Sequence, residues 1–239
     1  MSLAGKTVVI IGGSSGMGLA TAKAAQSEGA KVVITGRSEE RLRSAREELG
    51  RSPRTVALDA ADEAGTRALF EELGSVDHAF ITAATLTFDP KLAADSAAMR
   101  SALDTRFWGA YYVAKYAAPK MPADGTITFT TGTAARKPIP GAAVVSASCG
   151  AVEALARALA IDLAPIRVNT IAPGLIDTPL HEKMSGKERA AKQIAAMAAR
   201  LPVKRAGRPE DIAQAVLFLM KNPFATGITL TVDGGNLLI

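Results

Sequence analysis

The chain has 239 residues, 48% of them hydrophobic and 5% aromatic, with a formal net charge of +5. Nearly half of the residues can enter a core, which excludes a disordered chain and leaves room for one large α/β domain or two small ones. The 28 basic residues are scattered among 23 acidic ones, as in RSEERLRSAREELG, without a basic block or interleaved aromatics, so no nucleic-acid partner is expected.

Cys149 is the single cysteine, so no intrachain disulfide and no cysteine-held metal are expected, as in a reduced, cytoplasmic compartment. The apolar run in MSLAGKTVVIIGGSSGMG is too short to span a membrane and leads into a glycine turn rather than a cleavage site. Neither membrane attachment nor export is expected.

Short apolar or β-branched runs alternate with longer alanine-rich stretches of helical period. They predict strands over Thr7 to Ile11, Lys31 to Thr35, Arg54 to Ala57, His78 to Thr82, Gly125 to Thr130, Ile166 to Ile171 and Thr229 to Val232, with helices between consecutive strands. This rhythm predicts a single α/β domain over residues 1–239, a doubly wound parallel sheet with helices on both faces. Ligands of such a sheet bind beyond the carboxyl ends of the strands, so function is sought in the loops there.

The first such loop lies in IGGSSGMGLATAKAAQSEG. Gly12, Gly16 and Gly18 permit a tight turn and close backbone approach to a pyrophosphate, and the helix they open offers N–H groups and a favourable dipole. Ser14, Ser15 and Met17 complete this candidate phosphate loop. Its spacing departs from the strict G-x-G-x-x-G pattern, so alone it leaves open a nucleotide site and a plain tight turn. At the tip of the second strand, where NAD-binding sheets place a carboxylate for the ribose hydroxyls, stand Gly36 and Arg37. A guanidinium pairs with a 2′-phosphate through its planar fork, which favours NADP(H) over NAD(H) against Arg37 as a merely solvated loop residue.

Together with segments farther along, these residues resemble the short-chain dehydrogenase/reductase family from end to end. Gly12, Gly16 and Gly18 stand as in that family's G-x-x-x-G-x-G loop. LDAAD, with Asp59 and Ala60, resembles its adenine contact, and Ala83 in ITAAT falls in the turn beneath the cofactor. RVNTIAPGLIDTP resembles the segment in which Pro173, Gly174, Ile176 and Thr178 would flank the nicotinamide, and GRPEDIAQAVLFL and TGITLTVDGG resemble the last helix and strand. The resemblance implies a single Rossmann-type fold, a nicotinamide cofactor, hydride transfer on a small carbonyl or alcohol substrate, a lid over about residues 177–202, and assembly as a homodimer or homotetramer.

The family's catalytic residues are missing from their places. In VVSASCGAVEAL the resemblance puts Val145 where its tyrosine belongs and Cys149 where its lysine belongs. Counting back, its serine falls on Gly132, between Thr131 and Thr133, and its helix-four asparagine is Arg106 in DTRFWGAYY. A positioned general acid contributes roughly a hundred- to ten-thousand-fold, and valine donates no proton. Tyr111 and Lys115 have the Tyr-x-x-x-Lys spacing but lie too early, where an aromatic usually packs against a neighbour. Thr131, Thr133, His181 and Arg106 remain as catalytic candidates, and Arg106, Arg136 and Lys137 together could form an anion pocket. Three readings stay open: an NADP(H)-dependent oxidoreductase with another proton donor, a catalytically degenerate NADP(H)-binding protein or partner subunit, and a non-redox enzyme for an anionic substrate.

Overall fold

Runs such as TVVII and KVVITG are apolar on consecutive residues because both faces of their strands are covered, the pattern of an all-parallel sheet. The computed structural model, which describes residues 1–50, 53–85, 87–89 and 91–239, contains seven such strands. They are β1 Thr7–Ile11, β2 Lys31–Gly36, β3 Arg54–Ala57, β4 His78–Ile81, β5 Thr126–Thr130, β6 Arg167–Pro173 and β7 Thr229–Val232. All neighbours pair in parallel, in the order β3-β2-β1-β4-β5-β6-β7. The predicted strands agree with these to within two residues at each end. β6 runs past its predicted end because Ala172 and Pro173 still pair with Thr231 and Val232.

The helices are α1 Gly16–Ser27, α2 Glu39–Leu49, α3 Glu63–Leu73, α4 Ser96–Leu103, α5 Gly109–Ala117, α6 Ala143–Asp162, α7 Pro179–Ser185, α8 Lys187–Arg200 and α9 Pro209–Lys221. Side chains alternate across each strand and so divide the core. Val8 and Ile10 of β1 and Phe80 of β4 pack with Ala22 and Ala25 of α1, Leu42 of α2 and Ile212 of α9. Val9, Ile11, Ala79 and Ile81 face the other way, against Phe70 of α3, Ala110 and Ala114 of α5, and Val152 and Ala156 of α6. Each fully buried aliphatic side chain contributes about 1.5–3 kcal/mol, and the alanines let the helices lie close to the sheet. α6 is long and apolar enough to cross a membrane by composition, and Val152 and Ala156 on one of its faces enter this core.

One predicted helix is divided. Between α4 and α5 the chain makes a π-helical turn over Asp104–Trp108, so the helix expected before β5 is three consecutive pieces. Such turns accommodate an extra residue without ending the helix and recur at functional sites. At the far end of the sheet, the buried Arg167 donates to the carbonyls of Leu219 and Met220 at 2.7 Å each. It satisfies the last turn of α9, where a cation is favoured.

Candidate active site

The strand order reverses between β1 and β4, and a cavity of about 250 Å³ opens beyond their carboxyl ends. Gly12, Ser14, Ser15, Gly16, Met17, Arg37, Asp59, Ala60, Ala83 and Thr178 line it together. Gly18, Pro173, Gly174 and Ile176 are not among the residues that line it. A Cβ at Gly18 would lie 2.3 Å from the Gly12 carbonyl oxygen, so this glycine shapes the loop from behind. Gly174 backs onto Asp233, and Ile176 is buried beside the last helix. The wall also includes Arg41, Thr82, Ala84, Thr105, Pro179 and Leu180, which sequence reasoning missed. Arg41 could have been found, since it follows Arg37 by one turn on the helix capped by Ser38, whose hydroxyl accepts the Arg41 N–H at 3.3 Å.

The loop geometry fits a dinucleotide. Gly12 has φ +91° and Gly16 φ +53°, and a Cβ at Gly12 would sit 2.7 Å from the Ala83 nitrogen, in the next loop. Ser15 begins α1 without a side-chain cap, leaving the first-turn N–H groups for an anion. A Cβ at Gly16 would come 3.5 Å from the Thr178 methyl, so the start of α7 leans over the phosphate loop. Thr178, Pro179 and Leu180 then form the cavity edge on the lid side, with α8 following directly. At the opposite end Arg37 and Asp59 face each other across 4.0 Å, both exposed, a weak pair that leaves the guanidinium available.

The positions opposite the family's catalytic residues meet in space, but as an apolar cluster. Val145 and Cys149 are buried with Ala134 and Ala142, and a Cβ at Gly132 would lie 3.7 Å from Cys149 Sγ. Thr131 donates its hydroxyl to the Cys149 carbonyl at 3.1 Å, so that proton is already engaged. Thr133 accepts from Asn236 Nδ2 at 3.4 Å, and its own proton has no acceptor among the described residues. His181 Nε2 lies 2.9 Å from the Ile176 carbonyl, which only accepts, so this nitrogen carries the proton and gives it to the backbone.

The expected trio of cations does not assemble. Arg136 bonds Glu153 at 3.0 Å and Thr231 at 2.7 Å, while Lys137 donates to the Asn236 carbonyl at 2.7 Å and to that of Ile239. Both side chains tie the β5–α6 loop to the end of the sheet. Arg106 is buried on the π turn, on a different element. Tyr111 packs edge-on to Trp108 and Lys115 pairs with Glu63 at 2.8 Å, so this Tyr-x-x-x-Lys pair serves helix packing. Glu63 and the Tyr116 hydroxyl hold the Lys115 ammonium above its ordinary pKa.

A parallel sheet with its switch point at a glycine loop and an open helix terminus defines a Rossmann-type nucleotide-binding fold. Residues 12–236 match the family described as enoyl-(acyl carrier protein) reductase. The short-chain dehydrogenase/reductase ATR9 of Stachybotrys chlorohalonatus is 36% identical over 99% of both chains. A solved small-chain dehydrogenase in complex with NADPH is 33% identical, with a TM-score of 0.84 over 98% of this chain and 100% of that one. The structure of MalC reductase/Diels-Alderase from Malbranchea aurantiaca has 31% identity and a TM-score of 0.92, covering 99% and 98%. The chain belongs to the short-chain dehydrogenase/reductase family and is an oxidoreductase of that type.

Proposed function

We propose that the chain is an NADP(H)-dependent oxidoreductase acting on a carbonyl or alcohol with a proton source other than the family's tyrosine. The observation that carries the cofactor choice is the pair Arg37 and Arg41, which line one end of the cavity where Gly36 stands in place of a carboxylate at the tip of β2. Two guanidiniums there suit a 2′-phosphate and have no counterpart to bond in NAD(H). Gly12, Ser14, Ser15, Gly16 and Met17 would hold the pyrophosphate, Asp59 and Ala60 the adenine, and Ala83 and Thr178 the nicotinamide half. When bound, the nicotinamide supplies or accepts the hydride. The protein positions it and excludes water, with Leu180 and Pro179 closing the lid side. Water or the substrate itself furnishes the proton, and Thr133 is the hydroxyl able to relay it, since those of Thr131 and the His181 Nε2 are engaged.

A second reading is a nucleotide-holding protein whose pocket performs no hydride transfer. The apolar cluster of Val145 and Cys149 favours it. So does the likeness to MalC, a reductase/Diels-Alderase, because cycloaddition needs alignment of reactants rather than a proton donor.

The test is a titration with NADPH and NADH followed by calorimetry and Trp108 fluorescence, then NADPH consumption across a carbonyl panel. Each exposed arginine is expected to contribute about 1–2 kcal/mol to NADPH binding, so Arg37→Ala and Arg41→Ala should each weaken it roughly 5- to 30-fold and leave NADH within about twofold. Equal losses for both nucleotides would refute the cofactor assignment. Tight NADPH binding without turnover on any carbonyl would favour the second reading.

A further inference from the structure

Residues 177–207 leave the sheet and return to it as one excursion. Its two ends are pinned together, the Asp177 N–H donating to the Gly207 carbonyl at 2.8 Å and the Gly207 N–H to that of Leu175 at 2.9 Å. α7 starts at the cavity edge, where Pro179 and Leu180 line the wall. α8 packs chiefly on α7, and the two are joined at Gly186, whose φ is +79°. A helix pair that packs mainly on itself opens easily unless something beyond its pinned base holds it.

The segment after β7, Asp233–Ile239, supplies that hold. Its glycines lie flat against the chain leaving α8: a Cβ on Gly234 would sit 2.7 Å from Val203 Cγ2, and one on Gly235 would sit 2.5 Å from Pro202 Cγ. The Val203 N–H also donates to the Gly234 carbonyl at 3.4 Å. The Asp233 carboxylate folds the segment by accepting the Gly235 and Leu237 N–H groups at 2.9 Å each. Toward the β5–α6 loop, Asn236 Nδ2 donates to the Thr133 hydroxyl at 3.4 Å. Half-buried Lys137 supplies the charged fastening, donating to the Asn236 carbonyl at 2.7 Å and to that of Ile239. The segment is therefore a strap with the exit of the lid on one side and the loop bearing Gly132 and Thr133 on the other.

We propose that Lys137 is a positioning residue that acts through this strap, fastening the exit of α8 to the β5–α6 loop so that lid opening and loop placement are coupled. Its hydrogen bonds go to the strap and none reaches α8 among the described residues, so its influence on the lid is indirect. The coupling rests on the proposed function for its purpose alone: the lid bounds one side of the pocket, and Thr133 is the hydroxyl left to relay a proton. An ammonium suits the task because it donates to two carbonyls at once from a flexible stem.

The experiment is hydrogen exchange read by mass spectrometry on the whole chain without nucleotide, so failure of the cofactor reading would leave its result standing. Lys137→Met should speed exchange in α8 about fivefold or more, the effect of losing a charge-assisted tie that local opening must break. Lys137→Arg, whose guanidinium can donate to the same carbonyls, should stay within about twofold of the parent. Gly235→Ala disturbs the strap from the lid side, where its φ is +85°, and should speed exchange in residues 133–142, which it does not touch. The double variant Lys137→Met/Gly235→Ala should speed α8 no more than the faster single one, because both release the same strap. Faster exchange in Lys137→Met confined to residues 133–142 and 233–239 would overturn the proposal by giving the lysine a local role. An equal rise in every element, α2 at the far edge included, would overturn it by making the lysine a general stabiliser. Additive effects in the double variant would overturn it as well, since the two sites would then act separately.

Discussion

His78 offers a stability measurement whose size follows from the structure. It is buried at the amino end of β4, away from the cavity, with its ring nitrogen against Thr126. Burial pushes its pKa from 6.5 down to about 4, with Asp77 and Asp124 opposing the shift and Lys6 and Arg167 adding to it. A base with a depressed folded pKa is neutral in the fold and protonated in the unfolded chain between those two values. The unfolded state then binds more protons, so stability declines as pH falls from about 6.5 to 4 and levels off below. Each pKa unit is worth 1.36 kcal/mol, which gives a loss of about 3 kcal/mol across this window. For a chain of this length that is roughly 6–12 °C in melting temperature. His78→Asn keeps a polar atom near Thr126 but cannot titrate. Urea unfolding of both chains at pH 7.5, 6, 5 and 4 should give curves that converge by about 3 kcal/mol toward acid, whatever the constant cost of the lost ring. Asp77, Lys6, Asp124 and Arg167 are present in both chains, so their own titrations largely cancel. A stability difference that stays constant with pH would refute burial as the cause of the shift. Acid inactivation in this window would then reflect the active site rather than the fold.

Gly18→Ala forces a Cβ to within 2.3 Å of the Gly12 carbonyl oxygen and 2.8 Å of Thr82, so it should destabilise by about 1–3 kcal/mol and weaken NADPH at least tenfold. Paired denaturation and titration curves check this. Gly132→Ser should be nearly silent in stability, within about 0.5 kcal/mol, because its backbone is extended (φ −176°) and the nearest neighbours of an added Cβ stand at 3.7 and 4.0 Å. Cys149→Lys alone places an ammonium in an apolar cluster and should cost about 3 kcal/mol, a loss that chemical denaturation reads directly. Asp211 accepts the Arg208 N–H at 2.7 Å and pairs with Arg205, so Asp211→Ala should lower the melting temperature by about 2–4 °C at neutral pH. Arg205 and that N–H hold the carboxyl below its usual range, so its contribution is present above the unfolded pKa and fades on acidification through the folded one. The gap between variant and parent should narrow accordingly.

The strands were legible because a sheet covered on both faces places apolar and β-branched residues at consecutive positions, as in TVVII and KVVITG, a pattern distinct from the alanine-rich helical stretches. The phosphate loop and Arg37 were legible for a similar reason: backbone strain and a missing carboxylate leave marks on residue identity. The π turn was not, since one extra residue inside a helix changes hydrogen bonding without changing composition. Nor could the sequence say that Arg136 and Lys137 are engaged, because Glu153 and the carbonyls of Asn236 and Ile239 come to them from other parts of the chain. Thr105 and Leu180 reach the cavity only through the packing of their helices.

The π turn between α4 and α5 also decouples two requirements on one helix. An α-helix advances about 100° per residue, so an inserted residue rotates everything before it relative to everything after it. Ala110, Val113, Ala114 and Ala117 stay directed at the sheet, while the positions before the turn can change what they present to α6 and the cavity. Deleting one residue within Asp104–Trp108 would restore a uniform helix and rotate Thr105 and Arg106 away from their present directions. The fold would keep its core and lose the wall of its pocket. Substrate choice and sheet packing can therefore change independently along this one helix.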